Sequence, residues 1–390
     1  MKIAVVCDSF KGSLTSKDAC AAVKDGLLRC NKNFEVLSLP FADGGEGTSR
    51  CFYDILGGQL RKAAVHDPLL REITAEYTVL PDGTAVIDIA SASGLTLLKS
   101  SERDAVKVSS LGSGELICDA AEHGAKHIIL GLGGSATTDA GTGILYALGM
   151  RFFSEDGVEV LPDGQNMIRV KKIRRTENFE RFKDIKFTLA CDVTNPLCGE
   201  NGAAYVFSPQ KGASKNDVKL LDDGLRNIGE IFEKASGKKI INLPGAGAAG
   251  GIGGGLSAFL NCELQSGFDV LARAASLEDK IRRSDAVITG EGKTDRQTLF
   301  GKLPKRVSDI AERFGVPCIL LSGDVENDIS AEELGVCEMH KIKENGISLE
   351  HCMKNAASLL SERAFAIGKD SKIINKQYSR KQEKMRENER

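Results

Sequence analysis

"SDAVITGEGKTD", residues 284–295, is a short apolar run that ends in a glycine-rich, charged turn. A continuous apolar run of this length between turn signals reads as a buried strand. The Gly-Lys-Thr near its end invites comparison with a phosphate-binding P-loop, G-x-x-x-x-G-K-[ST]. That motif needs a glycine at position 287, where Val287 stands inside the strand. The spacing rules the P-loop out. What remains is strand, glycine turn and helix. Gly290 and Gly292 allow backbone conformations closed to other residues, and Lys293 and Thr294 lie near a helix start, which attracts anions.

The same rhythm surrounds this stretch. At the front, "KIAVVC" (2–7) and "FEVLSLP" (34–40) read as strands, with helices at 16–30 and 45–56. Behind it, 296–314 reads as a helix, "VPCILLSG" (316–323) and "GVCEMHKI" (335–342) as strands, and 348–367 as a helix. Such alternation calls for parallel strands with right-handed crossovers. Two strands from the front and three from the back make one five-stranded doubly wound sheet. The middle is then an inserted α/β domain with a mixed sheet. Its "LRKAAVHDP", "REITAEYTVL" and "TAVIDIAS" are joined by short turns and look antiparallel. A helix at about 104–123, a strand at 126–130, a helix at 139–149, a strand at 186–193 and a helix at 215–235 follow, while 151–185 gives no clear pattern. The expected division is 1–60 with 262–370, an insert at 61–261, and a charged tail at 371–390, solvated or frayed.

Bulk properties narrow the classes. A chain of 390 residues with 42% hydrophobic and 27% charged residues is ordinary for a soluble globular protein of two or three domains. A net charge of −2 makes no electrostatic case for nucleic acid or an acidic membrane surface. No apolar run approaches the roughly 18 residues of a membrane span, and the N-terminal run is too short for a signal peptide. The 11 cysteines show no CxxC and no zinc spacing, which points to reduced thiols in a cytoplasmic protein. The 42 glycines suggest many loops where backbone meets a ligand or other backbone.

If the five strands order as 2-1-3-4-5, ligands bind where the first and third strands diverge, beyond their carboxyl ends. The loop after the first strand, "CDSFKGS", then brings Asp8, Ser9 and Lys11 to the crevice. The loop after the third brings Glu291, Lys293 and Asp295. "FADGGEGT" (41–48) adds Asp43, with Glu46 placed as in a capping box. "GLGGSATTDAGTG" (131–143) fits a dinucleotide turn through Gly131, Gly133 and Ala136, with Asp156 about twenty residues on. Its Gly133, Gly134, Ser135, Thr137, Thr138 and Asp139 are richer in hydroxyls than such a turn, and suit phosphates at a helix start. Gly245, Gly247 and Gly250 make a second glycine match. The run containing Gly251, Gly253 and Gly254 reads either as a phosphate cradle or as close helix packing. "ACDVTNPLCG" (190–199) sets Asp192 and Asn195 past a strand end, where a carboxylate can hold Mg²⁺ or accept a hydroxyl proton.

Together and in this order, these loops resemble the type-1 glycerate kinases of bacteria. The resembling segments are "DSFKGSLTS" (8–16), "FADGGEGT", "GLGGSATTDAGTG", "ACDVTNPLCG", "GAAYVFSPQKGA" (202–213), "GAGAAGGIGGGL" (245–256) and "GEGKTDRQTLFGK" (290–302), and the match reaches about residue 370. Cys7 stands where the family usually has Pro, and Ser208 where it has Gly. The resemblance implies a flavodoxin-like domain interrupted by a second α/β domain. It also implies ATP-dependent phosphorylation of D-glycerate, most often to 2-phosphoglycerate. Residue chemistry then suggests the roles. Mg²⁺-ATP phosphates would meet the 133–139 loop with Gly251, Gly253 and Gly254. Glycerate would meet Ser9, Asn195, Glu291, Lys293 and Arg296. Lys11 or Lys293 would neutralise charge, and Asp192 leads as metal ligand or base, with Asp8, Asp43 and Asp295 as competitors. Three other readings stay open: a glycerate 3-kinase, an NAD-linked oxidoreductase using the 131–136 turn, and a non-catalytic small-anion-binding module.

Overall fold

The computed structural model describes residues 1–388 apart from Asp43, Pro162 and Asn345, with side chains to residue 380. Its contacts divide the chain into two units, Met1–Asp43 with Leu271–Arg390, and Gly44–Val270. The first unit opens with β1 (Lys2–Cys7) and β2 (Glu35–Pro40). The second unit holds β3 (Gln59–His66), β4 (Glu72–Val79), β5 (Ala85–Asp88), β6 (His127–Gly131), β7 (Met150–Phe153), β8 (Lys172–Arg175), β9 (Lys186–Ala190) and β10 (Asn261–Gln265). The chain then returns to the first with β11 (Ala286–Gly290), β12 (Lys293–Thr294), β13 (Cys318–Ser322), β14 (Asp324–Val325) and β15 (Glu338–Lys341).

In the first unit the sheet order is β15-β13-β11-β1-β2, and every pair is parallel. This is the 2-1-3-4-5 order expected from the sequence, and the register sets Ile3 beside Ala286 and Cys7 beside Gly290. β11 and β13 are buried along their whole length, as parallel strands covered on both faces must be. Helices Ser16–Cys30 and Ala356–Asp370 pack together on one face. They approach so closely that a Cβ on Gly26 would stand 2.0 Å from the Ser361 carbonyl oxygen. Close packing therefore outweighs the ~1 kcal/mol that a mid-helix glycine costs.

The second unit is built on a six-stranded mixed sheet, order β10-β9-β6-β5-β4-β3. β3, β4 and β5 are antiparallel neighbours, and β5, β6, β9 and β10 run parallel. Helix Thr48–Leu56 packs on β4 and β5 and so belongs with this unit, although its place after β2 reads as part of the front rhythm. Contacts accordingly divide the chain at 43/44 and 270/271, where the sequence rhythm suggests 60/61 and 261/262. The unpatterned 151–185 stretch contains most of the antiparallel pair β7–β8.

Other differences have local causes. The helix expected at 296–314 is two, Arg296–Leu299 and Leu303–Arg313, the second with Pro304 in its first turn. The one expected at 139–149 is only Thr142–Ala147, because Ala140 and Gly141 take φ of 53° and 70°. The charged tail is the main correction. Lys372–Asn388 is a helix, Ile374 is fully buried, and the Tyr378 ring meets Phe34 edge-on with centroids 5.8 Å apart. A few apolar side chains anchor it among the many charges. Ile374→Ala should therefore cost about 2–4 kcal/mol in denaturant unfolding. A loss within about 0.5 kcal/mol, as for an exposed site, would show the helix to be unanchored.

Candidate active site

β1 and β11 end side by side, so the loops that follow them leave the sheet together. The Asp8 amide donates to the Gly290 carbonyl at 2.9 Å. Gly292 lies against the other loop, where a Cβ would stand 3.2 Å from Phe10 Cα and 3.3 Å from the Lys11 nitrogen. Gly323, after β13, is closer still, with a Cβ position 2.2 Å from the Gly292 carbonyl oxygen. Glycine is needed here because backbone packs on backbone. Above this floor lies a cavity of about 680 Å³. Asp8, Ser9, Lys11, Glu291, Lys293 and Asp295 all line it, so the two loops converge as the strand order requires.

The lining residues differ in how committed they are. Glu291 is 6% exposed, and its Oε1 accepts from Thr298 Oγ1 at 2.6 Å and Thr294 Oγ1 at 3.1 Å. Burial pushes its carboxyl above the usual range despite those bonds and nearby Lys302. It fastens the loop internally. Asp295 caps helix Arg296–Leu299 by accepting from the Gln297 amide at 2.9 Å, and Lys302 Nζ lies 3.3 Å away. Burial works upward on Asp295, but Lys302 and the amide donors hold it below normal. Lys293 pairs with Glu326 at 2.7 Å; Arg296 is not among the residues lining this cavity and pairs with Asp328 at 2.9 Å and Glu333 at 3.1 Å. Lys11 is exposed in the cavity wall. Lys302, Asp324 and Lys343 also line the cavity and escaped the sequence reading. Asp324 could have been found, since it too follows a strand of this sheet. Lys343 holds it at 2.7 Å and Lys341 at 3.1 Å, and these bring it below normal against the upward effect of burial.

The other nominated residues belong to the second unit, except Asp43, which lies outside the described residues. Ser135, Thr137, Thr138 and Asp139 are buried. Asp139 accepts from the Ser110 amide and hydroxyl at 2.9 and 2.7 Å and from the Gly141 amide at 3.0 Å. Burial still raises its carboxyl. The loop is clamped by a segment that the sequence reading gave no role. Lys211 Nζ donates to Ser135 Oγ at 2.9 Å and to the Thr137 carbonyl at 2.6 Å, while Ser208 Oγ meets Thr138 Oγ1 at 3.0 Å. Thr137 Oγ1 is buried with no hydrogen-bond partner among the described residues. Gly133 packs on the other glycine loop, where a Cβ would stand 2.4 Å from Gly45 Cα; Gly134 is exposed.

Gly251, Gly253 and Gly254 are buried. Cβ positions on Gly250 and Gly255 fall 2.0 Å from the Thr137 oxygen and 1.8 Å from the Ala140 oxygen, and that on Gly253 lies 2.3 Å from the Gly245 oxygen. Close backbone packing accounts for this run, together with a kink at which Gly250 and Gly251 take φ of 69° and 96°. Asp192 is exposed past β9, and Asn195 Nδ2 donates to the Asn201 carbonyl at 2.8 Å. Asp156 is bonded to Ser154 in a turn. At the end of β5, Asp88 accepts from the Gly47 and Ser49 amides at 2.9 Å each, and burial pushes it up to about 7.

A doubly wound parallel sheet with a charged switch-point cavity, in a chain interrupted by a mixed-sheet unit, is an α/β architecture that binds small molecules at the carboxyl edge of its strands. The chain belongs to the glycerate kinase family, whose model matches residues 3–372. It is 38% identical over 364 residues to the glycerate kinase of Halalkalibacterium halodurans, covering 93% of this chain and 96% of that protein. It is 40% identical over 343 residues to the glycerate 2-kinase of Escherichia coli K12, covering 88% and 89%. A crystal structure assigned to glycerate kinase 2 of Salmonella typhimurium LT2 superposes with a TM-score of 0.84 at 35% identity, over 94% of this chain and 97% of that one. The protein is therefore a kinase, and the oxidoreductase and binding-module readings fall away. Among the described residues no helix is long and apolar enough to cross a membrane.

Burial lowers Lys211 from the ordinary 10.5 to about 7, with Asp139 opposing. Between those values the unfolded chain binds a proton that the folded chain lacks, so this lysine makes stability rise with pH across that window. Lys211→Met should flatten the rise when unfolding is measured at pH 7 and pH 9. An unchanged slope would contradict the assignment.

Proposed function

We propose that the enzyme transfers the γ-phosphoryl group of ATP to the 2-hydroxyl of D-glycerate, giving 2-phosphoglycerate, with Mg²⁺. The observation that carries this reading is the switch-point cavity, where Lys11 stands among Asp8, Ser9 and the Gly292 turn. A lysine and loop amides at the carboxyl edge of a doubly wound sheet suit phosphate oxygens. Of the cavity lysines, Lys11 is the best placed to neutralise phosphate charge, since Lys293 is tied to Glu326 and Lys302 to Asp295.

Within the second unit the candidate groups are Asp192, Asn195 and the Thr137 hydroxyl. Among the described residues no three His, Cys, Asp or Glu side chains group as a metal cage. That donor set fits an ion carried on nucleotide phosphates with one or two protein carboxylates, the usual way Mg²⁺ is held. Asp192 would supply a hard oxygen ligand; when bound, the ion would neutralise charge on the phosphates. In the alternative role, Asp192 accepts the proton of the attacking hydroxyl. Positioning and charge neutralisation, without a covalent enzyme intermediate, supply the catalysis. The E. coli relative's name favours the 2-hydroxyl.

ADP release measured with D-glycerate should require Mg²⁺, and ³¹P NMR of the product should show 2-phosphoglycerate. A 3-phosphoglycerate signal would move the assignment to the other hydroxyl, and no Mg²⁺-dependent turnover would overturn it. Asp192→Asn should lower kcat by about 100-fold or more with the circular dichroism spectrum unchanged. A near-wild-type kcat would remove Asp192 from the mechanism.

A further inference from the structure

The cavity has two unlike kinds of lining. Asp8, Ser9, Lys11, the Glu291–Asp295 turn, Lys302, Asp324 and Lys343 are charged or polar; Ile342, Leu349, Cys352, Met353 and Ala356 are apolar. Glycerate is a three-carbon acid with oxygen on every carbon. It has no face for the apolar lining and would fill little of about 680 Å³. That volume falls in the ~300–1,000 Å³ range of sites for drug-sized ligands. A nucleotide matches both kinds, with a flat base for the apolar lining and phosphates for the charged.

The two kinds of lining are fastened together within the first unit. Ser13 Oγ donates to the Met353 carbonyl at 2.7 Å, joining the loop after β1 to helix Leu349–Lys354. Gly12, at φ +76°, lies under the Met353 side chain, and a Cβ there would stand 3.0 Å from Met353 Cε. The loop that carries Lys11 thus also seats Met353. We infer that this cavity takes the adenosine end of the nucleotide, with the base against Ile342, Leu349 and Met353 and the phosphates toward Lys11. Glycerate is then recognised by other groups. The inference rests on the kinase reading and assigns the cavity to one of its two substrates.

Leu349 and Met353 are 61% and 37% exposed, so serine at each tests the wall without opening the core. In the full-length enzyme, Leu349→Ser with Met353→Ser should raise the KM for ATP at least ~5-fold by removing apolar contact, with the KM for glycerate within ~2-fold. Adenosine should inhibit the wild type competitively against ATP, and this inhibition should weaken in the double variant. A rise in the KM for glycerate alone, or no change in either constant, would overturn the assignment. Should the wild type fail to phosphorylate glycerate, the kinase reading fails, and calorimetry with ADP still decides the cavity. Weaker ADP binding in the double variant supports it, and equal or absent binding in both proteins overturns it.

Discussion

The parallel pairing of β1 with β11 is the constraint on which the rest depends. The Thr289 hydroxyl donates to the Val6 carbonyl at 2.9 Å across 283 positions of sequence, and five register pairs carry the strands from Ile3–Ala286 to Cys7–Gly290. Closing so long a loop costs only slightly more than closing a shorter one, because the entropy grows with the logarithm of length. A whole unit with its own core can therefore sit between two central strands of a sheet. The pairing also decides the chemistry. Since both strands end at the same level, Asp8, Ser9 and Lys11 emerge beside Glu291, Lys293 and Asp295, and neither loop forms the cavity alone.

Glycine serves two purposes in this chain, and motif spacing does not separate them. Gly292 and Gly323 let three loops stack their backbones beneath a cavity. Gly250, Gly253 and Gly255 let a helix press onto the 137–140 loop and the 245–246 turn. The second set resembles a phosphate cradle in sequence, yet its Cβ positions are filled by the protein's own carbonyl oxygens. The Ser135 and Thr138 hydroxyls of the 135–138 loop show a similar inward commitment, bound by Lys211 and Ser208. What these residues supply is a rigid loop.

The strand order of the first unit was legible because each of its strands is a short apolar run followed by a polar turn, in an alternating rhythm that few topologies satisfy. The convergence of two loops followed from that order alone. Helix Thr48–Leu56 was not legible as part of the second unit, because local pattern does not say which sheet a helix covers. The tail was hidden by its charge, since one buried isoleucine and one edge-packed tyrosine are enough to seat a helix. Lys211 drew no notice in the sequence and Glu291 read as a ligand-facing carboxylate, and only the fold shows that both are buried among hydroxyls. The apolar wall of Leu349 and Met353 gave no signal beyond helical periodicity, which core packing explains equally well.

The central claim is that the cavity at the β1–β11 switch point holds the nucleotide. Amide hydrogen exchange over the whole chain, with and without ADP, tests it most directly. Exchange should slow at 8–14, 290–295 and 349–356, three of the segments that line the cavity. Protection confined to 131–143 or 245–255, with those three segments unchanged, would contradict it.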